Sequence, residues 1–208
     1  MDFSDSRQRF TPIAATYAKH RPSYPAVLID WIEETAKLST GAAIADIGCG
    51  TGIASRLFAE RAFAVTGVDP NEGMLREARA EGGTVTYQRG EAAATGLPSH
   101  HFDLAIVAQA FHWFDVPIAV AELRRIIKPM PHGWCAAFWN LRNTTPLMQE
   151  YEALLATVPA YNAAPEPEQT LRMIASQPGI LPLPLGRFPN QQIFDLAGLL
   201  GRAQSSSY

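Results

Sequence analysis

Short apolar runs alternate with helical patterns between residues 25 and 140, and this alternation constrains the fold more than any other feature. Five runs read as buried strands: AAIADI (42–47), AVTGVD (64–69), TVTYQR (84–89), FDLAIVAQ (102–109) and WCAAFWN (134–140). Apolar spacing of three and four residues predicts helices over 25–36, 54–61, 71–80 and 117–128. Strands that alternate with helices predict βαβ units and a parallel sheet, whose ligand lies beyond the carboxyl ends of the strands.

A glycine-rich loop follows the first run, in the stretch ADIGCGTG (45–52). Gly48, Gly50 and Gly52 let the backbone approach a ligand closely. Asp46 precedes these glycines, and Asp69 ends the second run at the spacing of an acid that accepts ribose hydroxyls. The pattern therefore predicts a nucleoside-binding loop.

The same loop departs from the dinucleotide pattern G-x-G-x-x-G, whose third glycine would fall at Ile53. An isoleucine there obstructs the close packing of helix on strand that the third glycine permits. The carboxylate of Asp46 would repel a pyrophosphate and would help to hold a cationic ligand. A nucleoside with a positively charged tail is favoured, and a nucleotide-dependent oxidoreductase stays as the weaker alternative.

Composition narrows the class of partner. The chain has 208 residues and a formal charge of -3, which argues against nucleic acid and anionic membrane surfaces as partners. No apolar run approaches the roughly 20 residues that span a bilayer, and the polar start MDFSDSRQRF does not resemble a signal peptide. Cys49 and Cys135 form neither a disulfide framework nor a zinc site, so we expect a cytoplasmic protein.

Three stretches resemble class I S-adenosylmethionine-dependent methyltransferases: DIGCGTG, GVDPNEGML and FDLAIVAQAFHWFD. The segments YAKHRPSYP (17–25), IIKP (126–129) and FWNLRN (138–143) are similar to the small-molecule branch with ubiquinone-biosynthesis-like and trans-aconitate-like enzymes. The resemblance covers residues 10–145 and, more thinly, LLGRAQSSSY at the end. It implies an α/β fold, a three-layer Rossmann-like sandwich with a mostly parallel sheet and helices on both faces.

This resemblance also implies how S-adenosylmethionine would bind. Asp46, Gly48, Gly50 and Gly52 would line the methionine part of the cofactor, and Asp69 would bind both ribose hydroxyls. Glu91 and Ala92 match the segment that meets the adenine ring, and Gln109 would lie near the methionine part at the edge of the acceptor cavity. We expect no metal, because the chain offers no cluster of ligands with metal spacing; the adjacent His100 and His101 do not make one.

Acceptor-side residues are expected in three segments. Tyr17, Arg21 and Tyr24 belong to the segment that folds over the cavity in this family, and Arg21 suits a carboxylate. His112 and Trp113 follow the fourth strand, while Asn140 and Arg142 follow the fifth. His112 is either a general base for a hydroxyl acceptor, a residue that positions an ionised carboxylate, or half of a pair that closes the pocket.

The segment after Asn143 changes character. Thr145 as N-cap and Pro146 at N1 predict a helix over 145–155. A proline-rich connection (159–169) and a loop (177–186) follow, then a sixth strand (187–195) and a last helix (196–203). We expect one domain over 1–208, with N-terminal cap helices in 1–39, a cofactor-binding core over about 40–143 and a substrate-side segment in 144–208.

Two features depart from the family. The usual Pro-Gly-Gly turn before the fifth strand is PMPHGW here, and the chain ends before the family's seventh strand. The outer edge of the fifth strand would then lack a partner. Three hypotheses follow: residues 187–194 pair with it, another copy covers it in a homodimer, or the domain is a destabilised fragment.

The leading function is therefore methyl transfer from S-adenosylmethionine to an oxygen of a small molecule, either a carboxylate or a hydroxyl. Enzymes of this class that modify amino groups of nucleobases or glutamine often carry an Asn/Asp-Pro-Pro-aromatic motif after the fourth strand. Here the sequence is AQAF, which points away from nucleic acid. A non-catalytic protein that binds the cofactor is the second candidate.

Overall fold

A five-stranded parallel sheet forms the centre of the molecule in the computed structural model, which describes residues 10–157, 167–183 and 185–205. The strands are β1 (Ala43–Ile47), β2 (Ala64–Asp69), β3 (Thr86–Arg89), β4 (Leu104–Ala108) and β5 (Trp134–Phe138). Their order is β3-β2-β1-β4-β5, and each neighbouring pair is parallel. All five predicted strands are confirmed.

The helices are α1 (Ala14–His20), α2 (Ala26–Ala36), α3 (Ile53–Ala59), α4 (Glu72–Ala80), α5 (Val116–Ile126), α6 (Pro146–Leu155), α7 (Pro167–Ala175) and α8 (Leu196–Gln204). Short polar side chains cap several of them. Asn71 accepts from Met74 N at 3.1 Å, and Thr145 accepts from Met148 N at 3.3 Å, as its predicted capping role requires. No helix among the described residues is long and apolar enough to cross a membrane.

Alternate residues of each central strand enter two different cores. Ile44 of β1 and Leu104 of β4 pack with α2 and α3, whereas their neighbours Ala45 and Ala105 pack with α5. This period of two is the geometry of a strand covered on both faces. The prediction of a three-layer Rossmann-like α/β sandwich is confirmed.

The neighbours β1 and β4 mark the point where strand order reverses, because β2 and β3 lie on one side of them and β5 lies on the other. Loops that leave β1 and β4 therefore diverge and leave a crevice at the carboxyl ends of the strands. The glycine-rich loop follows β1, and the short 3-10 helix Phe111–Trp113 follows β4.

The predicted sixth strand over 187–195 is wrong, because this segment is irregular. Pro189 has no N–H for a ladder, and side chains fix the segment instead. Phe188 packs on Trp31, with ring centroids 5.6 Å apart, and Asn190 Nδ2 donates to Ser23 O at 2.8 Å. Residues 187–194 therefore do not pair with β5 as a strand, and within the described chain β5 pairs with β4 alone.

Three other predictions concern the rest of the chain. The loop over 177–186 is irregular where it is described, and the last helix is present as α8. Most of the proline-rich connection, over 159–166, lies outside the described residues. The polar start over residues 1–9 and the last three positions, 206–208, lie outside them as well.

Candidate cofactor and acceptor site

The glycine-rich loop is folded tightly against β2 and against the loop after β4. Gly48 N donates to Val68 O at 2.8 Å, and Gly48, Gly50 and Gly52 have left-handed φ values of +72°, +55° and +75°. A Cβ on Gly48 would lie 2.7 Å from Ala110 Cβ, and one on Gly52 would overlap the Tyr87 hydroxyl. Backbone conformation and space thus both require glycine at positions 48 and 52.

Asp69 joins this loop to α4. Its Oδ2 accepts from Gly50 N at 2.9 Å, and its Oδ1 accepts from Asn71 N at 2.8 Å. Burial raises the pKa of Asp69, and the two N–H bonds oppose that rise. Each carboxylate oxygen has a further lone pair, so the group can still accept from two hydroxyls of a ligand.

Two polar atoms in and beneath the loop are buried without a hydrogen-bond partner among the described residues. Asp46 is fully buried, and its Oδ2 accepts from Ser55 Oγ at 2.5 Å while its Oδ1 is unpaired. Thr51 Oγ1 in the loop itself is also unpaired. Burial raises the pKa of Asp46 to about 7. Such orphaned atoms in a native fold call for a ligand or solvent partner. Thr51 lines the cleft above and can bond a ligand directly, whereas the Asp46 carboxylate beneath the loop offers negative charge to the ammonium group of an amino-acid tail. A cofactor with such a tail fits this set of residues.

A cleft opens above this loop at the carboxyl ends of β1 and β4. Concave sites at this point of an open α/β sheet are where ligands bind. Seven predicted site residues line it: Tyr17, Tyr24, Gly48, Gly50, Asp69, Gln109 and Trp113. The topology of a parallel sheet also marks the stretches 46–52 and 109–114, which follow β1 and β4, and four more lining residues fall in them: Cys49, Thr51, Ala110 and Phe114. Sequence reasoning did not assign the others: Phe10, Ile53, Ala54, Pro70, Met74 and Ala108. Ile53 and Pro70 directly follow a predicted residue in the chain, and that adjacency was the available signal.

A second, smaller cleft adjoins the first on the side of α1. It shares Tyr17, Tyr24, Ile53 and Gln109 with the larger cleft, and it adds Arg21, Pro22 and Asn140. Gln109 stands between the two clefts with a left-handed φ of +58°, a conformation that is uncommon outside glycine and that often occurs at functional sites. Arg21 and Asn140, predicted from opposite ends of the core, are thus brought together.

Arg21 is held from the far end of the chain. Its Nε and Nη2 donate to the Ser205 carbonyl at 3.3 and 2.9 Å, and its guanidinium lies 4.6 Å from the Tyr17 ring centroid. A guanidinium carries five N–H groups, so donors remain for a ligand in the smaller cleft. No local pattern in the sequence predicts the contact with Ser205.

His112 is partly buried beside Trp139, whose Nε1 donates to His112 Nδ1 at 3.2 Å. Burial, and secondarily the positive charge of Arg21, lower the pKa of His112 to about 4. The ring is therefore neutral near pH 7, with Nδ1 as acceptor and the proton on Nε2. Trp139 was not predicted as a site residue, because it lies 27 positions along the chain.

The remaining predicted residues lie around the clefts rather than on their walls, and their roles stay predictions. They are Asp46, Gly52, Glu91, Ala92, His112 and Arg142. Glu91 pairs with Ala94 in a turn beyond β3, and Gly52 begins α3. Arg142 forms an ion pair with Glu152 of α6 and lies over the Tyr151 ring. Within the described ranges, no three His, Cys, Asp or Glu side chains group as metal ligands.

Comparisons with known proteins identify the class. A family model described as a methyltransferase domain matches residues 45–136. The structure of a proposed type II methyltransferase from Anaeromyxobacter dehalogenans has 33% identity and a TM-score of 0.65, over 90% of this chain and 79% of that one. The chain therefore belongs to the class I S-adenosylmethionine-dependent methyltransferases.

Two curated relatives show the extent of the match. A methyltransferase-like protein of Schizosaccharomyces pombe is 32% identical over 148 residues, which is 70% of this chain and 57% of that protein. A malonyl-[acyl-carrier protein] O-methyltransferase of Serratia marcescens is 37% identical over 90 residues, or 43% of this chain and 35% of that enzyme. The chain thus spans little more than half the length of the first relative.

Proposed function

We propose that this chain transfers the methyl group of S-adenosylmethionine to an oxygen of a small molecule, with a carboxylate as the favoured acceptor. Arg21 in the smaller cleft carries this proposal. Ser205 occupies the Nε side of the guanidinium, and the Nη1–Nη2 side, with two parallel N–H donors, matches a carboxylate. Asn140 lines the same cleft. Gln109 lines both clefts, so an acceptor bound in the smaller cleft would lie next to the cofactor cleft.

The residues around the larger cleft divide the work of holding the cofactor. Asp69 would accept hydrogen bonds from the ribose hydroxyls, and Asp46 would attract the α-ammonium group of the amino-acid tail across the glycine loop. When bound, the cofactor supplies a methyl group on a positively charged sulfur. An acceptor oxygen would attack the methyl carbon in line with the carbon–sulfur bond, and the sulfur would leave as a neutral thioether. Tyr17, Tyr24 and Trp113 would exclude water and align the acceptor.

The state of His112 supports a carboxylate over a hydroxyl. An acceptor hydroxyl needs a base whose pKa is near the working pH, whereas a carboxylate is already ionised. A histidine with a pKa of about 4, whose Nδ1 accepts from Trp139, is poorly suited to take a proton near pH 7. We therefore propose that His112 positions the acceptor side of the site, and that its Nε2–H is a donor.

Named relatives support oxygen as the acceptor atom. The Serratia marcescens relative is named an O-methyltransferase. A ubiquinone biosynthesis O-methyltransferase of Pseudomonas paraeruginosa is 32% identical over 107 residues, which is 49% of this chain and 46% of that enzyme. The acceptors in these two names differ, so they do not choose between a carboxylate and a hydroxyl.

We also propose a small molecule rather than nucleic acid as acceptor, because the formal charge is -3 and the segment after β4 is AQAF. A cytoplasmic setting accords with two unpaired cysteines. For the free edge of β5 we propose a second copy of the chain as its cover, since an apolar edge strand invites pairing. Sedimentation velocity tests this point, and a monomer at all concentrations would contradict it.

Calorimetric titration with S-adenosylhomocysteine and with NAD tests the proposal. We expect binding of the first and none of the second; the reverse result would exclude a methyltransferase. Turnover against a panel of small carboxylic acids and phenols then follows. Methyl esters from acids support the proposal, methylated phenols favour a hydroxyl acceptor, and binding without turnover favours the non-catalytic alternative.

A further inference from the structure

A buried carboxylate on α5 holds the loop that follows β3. Glu122 is only 9% exposed, and its Oε1 accepts from Thr95 N at 2.8 Å and from Thr95 Oγ1 at 2.6 Å. Thr95 is itself fully buried, and its hydroxyl oxygen accepts from Leu97 N at 3.2 Å. One side chain thus fixes both the backbone and the hydroxyl of a residue 27 positions away.

Arg125 completes the network from the next turn of α5. Its Nε donates to Glu122 Oε2 at 2.7 Å, and its Nη2 donates to Glu122 Oε1 at 2.7 Å and to Leu97 O at 2.8 Å. These bonds from Arg125, together with those from Thr95, lower the pKa of Glu122 to about 2. The carboxylate is therefore charged at every working pH, and it bonds Thr95 and Arg125 at the same time.

The loop that Glu122 holds begins beside Asp69, the residue proposed to bind the ribose. Gly90 N donates to Asp69 O at 3.3 Å, and a Cβ on Gly90 would lie 2.6 Å from Thr95 O. Between these two fixed points, Glu91 and Ala94 exchange backbone hydrogen bonds of 3.3 and 3.0 Å and close a tight turn. The turn therefore stands directly beyond Asp69, at the carboxyl end of β3.

We propose that Glu122 is a positioning residue for the nucleoside base: through Thr95 and Arg125 it holds the turn Glu91–Ala94 where a base attached to a ribose at Asp69 would lie. This inference rests on the proposed function, because it needs the ribose at Asp69. The Arg125 side chain of this ion pair is 39% exposed, so the pair adds little net stability. The value of the network lies in fixing one arrangement of the loop. A fixed turn is what recognition of a base requires.

The test compares two ligands that differ only in the base, S-adenosylhomocysteine and S-inosylhomocysteine. We expect Glu122→Ala to weaken the adenosyl ligand about tenfold or more, the size of one lost hydrogen bond to a charged group, and to lower the preference for adenosyl over inosyl. Thr95→Val should weaken the adenosyl ligand and lower the base preference in the same way. Thr95→Ser keeps the hydroxyl and should retain both the affinity and the preference of the unaltered protein. Arg125→Ala should also weaken the adenosyl ligand and lower the base preference, because it removes the bonds to Glu122 and Leu97. Arg124→Ala is its matched control, because Arg124 donates to Pro178 O and not to Glu122.

All variants are measured at a temperature at which circular dichroism shows them folded. If Glu122→Ala does not fold, Thr95→Val carries the comparison. A lower Tm with unchanged affinity and unchanged base preference would mean a purely structural role and would overturn the inference alone. Failure of the unaltered protein to bind S-adenosylhomocysteine would overturn the proposed function, and this inference with it.

Discussion

Two buried aspartates, Asp46 and Asp69, lie at the same glycine loop with different surroundings. Asp69 accepts two backbone N–H groups, whereas Asp46 accepts one hydroxyl and leaves Oδ1 unpaired. Burial raises the pKa of both, and that of Asp46 to about 7. Since a cationic ligand favours the charged form, binding and ionisation of Asp46 are linked.

We expect affinity for S-adenosylhomocysteine to rise with pH through 7. Below that pH the free protein holds Asp46 protonated, so a favourable interaction with the α-ammonium group of the ligand's zwitterionic tail first requires the release of a proton; above it the carboxylate is already charged. The expected gain between pH 6 and pH 8 is about tenfold, as for a single linked group of that pKa. Calorimetry across this range measures it.

Asp46→Asn should bind more weakly at pH 8 and lose the pH dependence, because an amide does not titrate. Asp30→Asn is the matched control, since Asp30 is exposed on α2 and pairs with Arg61. Retention of the pH dependence in Asp46→Asn would assign it to another group, with Asp69 the first to examine.

His112 leads to a second prediction at this scale. If it positions the acceptor without taking a proton, kcat for a carboxylate acceptor should be flat between pH 6 and pH 8, because its pKa of about 4 lies below that range. His112→Asn should raise the acceptor KM and leave that flat profile unchanged. A bell or step near pH 7 that vanishes in this variant would instead identify His112 as a base.

Residues whose roles depend on local register were predictable from the sequence. The glycines and Asp69 follow directly from where a strand ends and a helix begins. By contrast, the Trp139 partner of His112 and the Ser205 partner of Arg21 lie 27 and 184 positions away along the chain. Such contacts depend on tertiary packing, which no sequence period encodes.

At the scale of elements, the cleft depends on one close approach between two loops. Gly48 after β1 meets Ala110 after β4, where a Cβ on Gly48 would lie only 2.7 Å from Ala110 Cβ. Two methyl carbons cannot approach so closely, so a larger residue at 48 must move the loops apart. The width of the crevice at the switch point is set by this pair.

Gly48→Ala should therefore destabilise the fold by about 1–3 kcal/mol through overpacking, in addition to the roughly 1–2 kcal/mol of a left-handed alanine. It should also weaken binding of S-adenosylhomocysteine. Gly41→Ala is the matched control, because Gly41 has a φ of +79° with nothing within 4 Å of its would-be Cβ. Urea unfolding measures the stability of both variants.

The double variant Gly48→Ala, Ala110→Gly separates the two costs. Removal of the Ala110 methyl should restore the contact part of the loss and leave the conformational part. Equal stabilities of Gly48→Ala and Gly41→Ala would show that the two loops move apart at no cost and do not determine the width of the cleft.

Element prediction succeeded where a period of two or of three and four residues was reinforced by burial on both faces, as in β1 and β4. It failed over 187–195, where RFPNQQIFD has strand-like composition at its ends. Phe188 and Asn190 there serve contacts to Trp31 and Ser23, and Pro189 prevents a regular ladder. Tertiary contacts overrode the local pattern.

For the whole molecule, the two ends of the described chain meet over the acceptor side of the site. Gly201 of α8 packs so closely on the His20 ring that a Cβ there would overlap it, and Arg21 donates to the Ser205 carbonyl. Since Tyr17 and Arg21 line the clefts, α8 holds α1 in place although α8 lines neither cleft itself. The order of the acceptor site thus depends on a helix remote from the sheet.

Gly201→Ala should therefore displace α1, because overpacking against His20 costs about 1 kcal/mol or more. The acceptor KM should rise several-fold as a result. Affinity for S-adenosylhomocysteine should change less, because Asp69 ends β2, the glycine loop is bonded to it, and α1 contributes only Tyr17 to the larger cleft. Gly198→Ala in the same helix is the milder comparison: its Cβ would lie 3.1 Å from Asp195 and Phe194, which must shift by a few tenths of an ångström, and neither of them lines a cleft. His20→Ala should rescue Gly201→Ala by making room. Steady-state kinetics beside calorimetry separates the two affinities, and an equal loss of both in Gly201→Ala would mean that α8 supports the whole fold rather than the acceptor side.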